Sequence, residues 1–124
     1  MASDIDETIA FWTEGFGAEI VFDKEFAGAR NVFMTVGQGR LHLYDQAPKN
    51  LAQAAVHHLG VQTDEIEAVV GRLRDIGISV TDIRAEPDAS YAMAKGPDDL
   101  LVEIFQPTPE AVPRELRAYF GLDT

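Results

Sequence analysis

Apolar and polar positions alternate along this chain in two regimes. Ile5, Ile9, Trp12 and Phe16 recur at helical spacing and make one apolar face, with Ser3 and Asp6 reading as an N-cap and its capping-box-like partner. Gly15 and Gly17 are expected to end that helix. The period then shortens to two. Residues 18–26 predict a strand in which Ile20 and Phe22 alternate against Glu19 and Val21, and Gly28 breaks it. Asn31 to Val36 and Arg40 to Tyr44 predict two more strands around the turn Gly37-Gln38-Gly39. Residues 46–54, with Pro48 and Asn50, read as a linker. Ala55 to Gln62 is then a strand that runs directly into a helix starting near Asp64. That helix carries Ile66, Val69, Val70, Leu73 and Ile76 as its stripe and is stopped by Gly77. Strands follow at Ile78 to Ile83, Tyr91 to Lys95 and Leu100 to Gln106, the last two joined by the turn Gly96-Pro97-Asp98-Asp99. Pro113 to Phe120 reads as a short helix closed by Gly121, with Leu116, Tyr119 and Phe120 docking it on the body.

The second half repeats the first. Ile5-Asp6 lies 61 residues before Ile66-Glu67, His42 lies 61 before Glu103, and Pro48 lies 61 before Pro109. Two copies of a strand-helix-strand-strand-strand unit are implied, each a sheet with one helix on its outer face. The fold class expected is α+β: two βαβββ modules forming a cleft-shaped mixed sheet with the helices outside. Module one spans 1–48, module two 54–107 and a tail helix 108–124, together one domain of 1–124.

Strand parity then sorts side chains between the helix face and the cleft face. Leu41 and Leu43 go to the helix, so His42 and Tyr44 face inward; Val102 and Ile104 go to the helix, so Leu101, Glu103 and Phe105 face inward. In the strand before the second helix, His57, Leu59 and Val61 share the helix face, while His58, Gly60 and Gln62 share the cleft face. The inner surfaces therefore carry His42, His58 and Glu103. Two imidazoles and a carboxylate are a common ligand set for Fe(II), Mn, Ni or Zn. The competing account is that Glu103 pairs with an arginine such as Arg30 or Arg40 and the histidines fill space. Phe33, Tyr44, Gln62, Tyr91 and Phe105 are further cleft-lining candidates.

Composition narrows the function classes. The net charge of -11 argues against a nucleic-acid surface, and the absence of cysteine excludes disulfides, thiolate zinc sites and a cysteine nucleophile. No apolar run approaches a membrane span and no leader-like stretch precedes the first helix, so a cytoplasmic protein without membrane partners is expected.

The stretches His57-His58-Leu59-Gly60-Val61-Gln62-Thr63-Asp64 and Gly96-Pro97-Asp98-Asp99-Leu100-Leu101-Val102-Glu103-Ile104-Phe105 resemble the second module of the vicinal oxygen chelate superfamily. Ser3-Asp4-Ile5-Asp6 through Ala10-Phe11-Trp12 to Gly17 resembles the helix of its first module. The superfamily includes glyoxalase I, methylmalonyl-CoA epimerase, extradiol dioxygenases and the fosfomycin and bleomycin resistance proteins. The resemblance implies metal ligands at His58 and Glu103, with His42 in the remaining last-strand position, where glyoxalase I usually has a glutamate or glutamine. It implies a divalent ion (Zn, Ni, Mn, Co or Fe(II)), a small substrate with vicinal oxygens, Glu103 as ligand and base, and a homodimer. A glyoxalase-like lyase or isomerase is the first reading. A metal-free drug-binding protein of the bleomycin-resistance kind and a ring-cleaving dioxygenase are the alternatives. The counterpart of His58 in module one falls before Met1, so the first strand of that module is missing. A truncated start, a substitute segment or partner chain, and loss of the metal each account for that.

Overall fold

A computed structural model describes residues 1–26, 28–47 and 58–122. The first helix, α1, spans Ile5–Phe16. Its N-cap is Asp4, not Ser3: the extended Asp4 backbone turns its carboxylate to accept the Glu7 amide at 3.0 Å. Ser3 instead donates its own amide to Asp98 Oδ2, at 3.0 Å. The helix ends on Gly17, which takes the left-handed conformation at φ 70° and closes the C-terminus by donating to Thr13 O. Gly15 does not end the helix. It is the point of closest approach to the second helix, where a Cβ would lie 2.6 Å from Leu73 Cδ2.

Three antiparallel strands follow: β1 (Glu19–Phe26), β2 (Ala29–Val36) and β3 (Gly39–Tyr44), in the order β1-β2-β3. The expected regular alternation of β1 is broken by a bulge. Ile20 lies opposite Met34 but Phe22 lies opposite Phe33, so the two sit on opposite faces and Val21 is left 65% exposed. Val32, Met34 and Leu43 form the buried face toward α1.

The second sheet has the path β4-β8-β7-β5, with β6 also pairing β7. β4 is Leu59–Gln62; residues 55–57 of the longer expected strand, including His57, lie outside the described residues. α2 covers Ile66–Asp75, starting two residues later than expected because Thr63 Oγ1 accepts from Glu65 N and Gln106 Oε1 accepts from Ile66 N. The strand expected over 78–83 is replaced by two short ones, β5 (Ser79–Val80) and β6 (Arg84–Ala85). The Thr81 carbonyl between them is taken by Arg74 Nη2 at 3.0 Å, and Thr81 Oγ1 accepts from Met93 N. β7 (Ala89–Lys95) and β8 (Leu101–Pro107) form the central hairpin, and β4 pairs with β8 in parallel. The expected tail helix contracts to α3, Arg114–Arg117, followed by turns.

The repeat extends to individual backbone bonds. Thr63 N donates to Phe105 O and, 61 residues earlier, Ala2 N donates to Tyr44 O, both at 2.9 Å. α1 contacts β3, α2 contacts β5, β7 and β8, and the two helices also touch each other, giving one continuous core around Phe11, Trp12, Leu73, Val102 and Ile104. Among the described residues no helix is long and apolar enough to cross a membrane.

Arg30 ties this framework together at its surface. Its guanidinium grips Asp23 through two bonds of 2.8 and 2.7 Å and reaches Asp6 of α1 at 2.8 Å. The Arg30 hydrogen bond holds the Asp23 carboxyl below its ordinary value of 3.8. A carboxyl depressed in the folded state stabilises above its unfolded pKa, and that contribution is lost as pH falls through the folded value. Asp23→Asn should therefore lower the melting temperature slightly at neutral pH and flatten its decline below pH about 3.8. Melting curves of the two proteins that run parallel from pH 7 to 2 would contradict this.

Candidate functional site

β4 and β8 build one wall of the site. Their parallel register sets Gly60 opposite Glu103 and Gln62 opposite Phe105, all on the face away from α2, because Val102 and Ile104 are fully buried on the other. Gly60 has no atom within 4 Å of where a Cβ would stand, so the space above Glu103 is open. His58 precedes β4 on the same face, and its Nε2 lies 3.9 Å from Glu103 Oε2, with side chains 38% and 29% exposed. This separation exceeds a hydrogen bond and is an ion pair only when the imidazole is protonated. Neither arginine considered from the sequence pairs with Glu103. Arg30 is committed to Asp23 and Asp6, and the partner of Glu103 is His58.

The C-terminal tail supplies a second wall. The Phe120 ring lies 5.3 Å from that of Phe105, Tyr119 meets Phe120 edge-on at 5.1 Å, and Gln62 Nε2 donates to Phe120 O at 2.8 Å. Gly60, Gln62, Glu103, Phe105, Tyr119 and Phe120 line an open hollow of about 430 Å³. Of the three tail residues expected to dock, Phe120 does so, on the cleft face against Phe105, whereas Tyr119 is 80% and Leu116 44% exposed. Tyr91 lies across from Phe105 in the β7–β8 register.

His42 is held elsewhere. Its Nε2 lies 2.7 Å from Oδ1 of Asn31, and its ring lies 4.4 Å from that of Phe33, between Phe33 and Tyr44 on the face away from α1. The structure thus brings His58 and Glu103 together and does not bring His42 to them. Among the described residues no three His, Asp or Glu side chains converge as a metal site. Asn31, 1% exposed, was not singled out from sequence; a carboxamide beside the apolar run Val32-Phe33-Met34 was the available signal.

The family model described as the glyoxalase/bleomycin resistance protein/dioxygenase superfamily matches residues 1–104. Similar folds occur in TnmS3, an antibiotic-binding protein from Streptomyces sp. CB03234 (24% identity, 86% of this chain and 89% of that one, TM-score 0.72). They also occur in a variant of the fosfomycin resistance protein FosX from Listeria monocytogenes, solved with Mn(II) and 1S,2S-dihydroxypropylphosphonic acid (19% identity, 89% and 88% covered, TM-score 0.74). A third is a glyoxylase/bleomycin resistance protein/dioxygenase domain from Frankia sp. EAN1pec (14% identity, 84% and 89% covered, TM-score 0.71). No curated protein matches the chain. With a family match over most of its length and a mixed-sheet α+β architecture, the chain belongs to the glyoxalase/bleomycin resistance protein/dioxygenase superfamily.

Proposed function

We propose that the chain is a metal-dependent lyase or isomerase, glyoxalase-like, acting on a small substrate with vicinal oxygens in the cavity above Glu103. The observation that carries this reading is the 3.9 Å approach of His58 Nε2 and Glu103 Oε2 beneath an open volume. The donor set fits a divalent ion: with bonds of about 2.1 Å, two donors on one ion lie at most about 4.2 Å apart. An imidazole nitrogen and a carboxylate oxygen are the donors that Zn, Ni, Mn, Co and Fe(II) accept. Such an ion, when bound, supplies Lewis-acid polarisation of two adjacent substrate oxygens.

The chain's own residues do the rest. His58 Nε2 and the Glu103 carboxylate would hold the ion, and the Glu103 carboxylate would take up a proton from substrate carbon. Gly60 leaves room for the substrate over the sheet. Gln62 anchors Phe120 so that Phe105 and Phe120 exclude water from one side.

A second reading, metal-free binding of a small molecule, is favoured by the two-member donor set among the described residues and by similarity to an antibiotic-binding protein. Mass-spectrometric metal analysis after incubation with Mn(II), Zn(II), Ni(II), Co(II) or Fe(II) and gel filtration separates the two. The enzyme reading expects one ion per chain. Retention of none of these metals would leave the binding reading.

A further inference from the structure

The repeat is filled unequally in the two sheets. In module two, β4 lies along β8: Leu59 to Gln62 pair in parallel with Val102 to Phe105, and Thr63 N donates to Phe105 O. In module one the bond that ends this pairing is present, from Ala2 N to Tyr44 O. Yet among the described residues β3 pairs with β2 alone, so the place beside β3 that corresponds to β4 is a slot.

Backbone direction shows that both sides of the slot can pair. Asp45 N donates to Arg30 O, toward β2, whereas Tyr44 O turns the other way, to Ala2 N. Direction alternates along a strand, so the amides and carbonyls of Arg40 and His42 point away from β2 as Tyr44 O does. Across the slot, Thr63 N points to β8. By the same alternation Leu59 and Val61 turn their backbone groups to β8, and Gly60 and Gln62 turn theirs to the slot. Between the two edges is a hollow of about 490 Å³ with an apolar floor: Trp12 and Phe16 of α1, Leu41 of β3, Leu59 and Val61 of β4, and Val69 of α2. Leu59 is exposed there. Open backbone edges above an apolar floor are what an added strand covers.

Module two shows what such a strand looks like. In the equivalent place on β8, β4 sends Leu59 and Val61 to the helix side and Gly60 and Gln62 to the other. We propose that the slot between β3 and β4 captures an extended peptide segment, supplied in trans, that runs parallel to β3 and carries apolar side chains at alternate positions. Its backbone pairs with Arg40 and His42, and its apolar side chains pack on Trp12 and Phe16. The six residues of β3 offer an edge of about 20 Å. Capture needs no metal and does not depend on the chemistry proposed for Glu103.

The probe is acetyl-Glu-Val-Thr-Leu-Thr-Val-Gln-amide, titrated into the full chain in EDTA. Trp12 is the only tryptophan and lines the slot, so its fluorescence reports occupancy by a peptide that has none. The probe should bind saturably and at least about tenfold more tightly than acetyl-Glu-Thr-Val-Leu-Val-Thr-Gln-amide, which has the same composition without the alternation. N-methylation of its valine and leucine amides, which face β3 by the parity of Leu59 and Val61, should abolish saturable binding. Leu59→Lys should weaken binding at least about tenfold by placing a charge on the apolar floor. Hydrogen exchange at the Arg40 and His42 amides of the wild-type chain should slow at saturation while exchange in β7 stays unchanged. That measurement decides the matter even where the lysine variant fails to fold. No saturable binding, equal binding of the two isomers, or binding without slower exchange at Arg40 and His42 would overturn the proposal. So would a wild-type chain that is dimeric by light scattering and takes up no probe, since a second copy would then fill the slot.

Discussion

Replacing Phe11 by alanine should lower the stability of the chain by about 3–5 kcal/mol, the largest effect expected of any single core truncation here. Phe11 is 2% exposed and belongs to two sets of contacts at once. Within α1 it meets Trp12 edge-on at 5.2 Å and Phe16 at 5.5 Å. Across the fold, its ring lies where a Cβ on Gly96 would be only 3.0 Å away, against the turn that joins β7 to β8. The same side chain therefore fastens the first helix to the last hairpin. Removing it opens a cavity whose walls are a helix and a tight turn, neither of which can collapse far. Phe11→Leu keeps most of the volume and should recover more than half of the loss. Urea unfolding of the two variants measures this. A loss below about 1 kcal/mol for alanine would mean that α1 is not held by this contact.

The reverse change at the facing position gives the same reading of the packing. At Gly96 and Gly15 the missing side chain lets another side chain approach, Phe11 at one and Leu73 at the other. In the sequence Gly15, with Gly17 two residues on, looked like a helix stop. It is a contact residue, and only Gly17 has the positive φ of a terminator. Sequence spacing reports which residues share a face; it carries no record of what presses on that face.

The same distinction separates what was legible in the site from what was not. The approach of His58 to Glu103 follows from alternation and from the repeat, which together place both side chains on one face of neighbouring strands. The position of Phe22 does not follow, because the bulge after Ile20 adds one residue to β1 and reverses every later side chain in that strand. No glycine or proline marks the bulge, so regular alternation predicts Ile20 and Phe22 on one face. The tail was legible as a docking segment through its aromatics, but no periodicity says which surface it covers. Gln62 and Phe105, both on the cleft face, decide that by binding Phe120. The break between β5 and β6 was equally hidden, because it depends on the Arg74 guanidinium reaching the Thr81 carbonyl from another element.

Replacing Glu103 by glutamine should weaken divalent-metal binding by at least about a hundredfold, since even the outer partners of a metal ligand are worth about 10–100-fold in affinity. Glutamine keeps the shape of the side chain and an oxygen donor but removes the charge, and hard divalent ions bind neutral amide oxygens less strongly than carboxylates. Folding should be nearly unaffected. Glu103 is partly exposed, the His58 imidazole lies 3.9 Å from it, and the side chain leaves the apolar layer made by Val102 and Ile104 untouched. The melting temperature should therefore stay within about 2 °C of wild type, the shift of a surface change worth under about 0.5 kcal/mol. His58→Gln should give a second, smaller loss of metal affinity, and His42→Gln almost none, because the His42 Nε2 is held on Asn31. Isothermal titration with Mn(II) under one buffer condition compares all three. Equal affinity in wild type and Glu103→Gln would remove Glu103 from the metal site. A His42→Gln loss as large as that of Glu103→Gln would mean that the ring leaves Asn31 to join the ion.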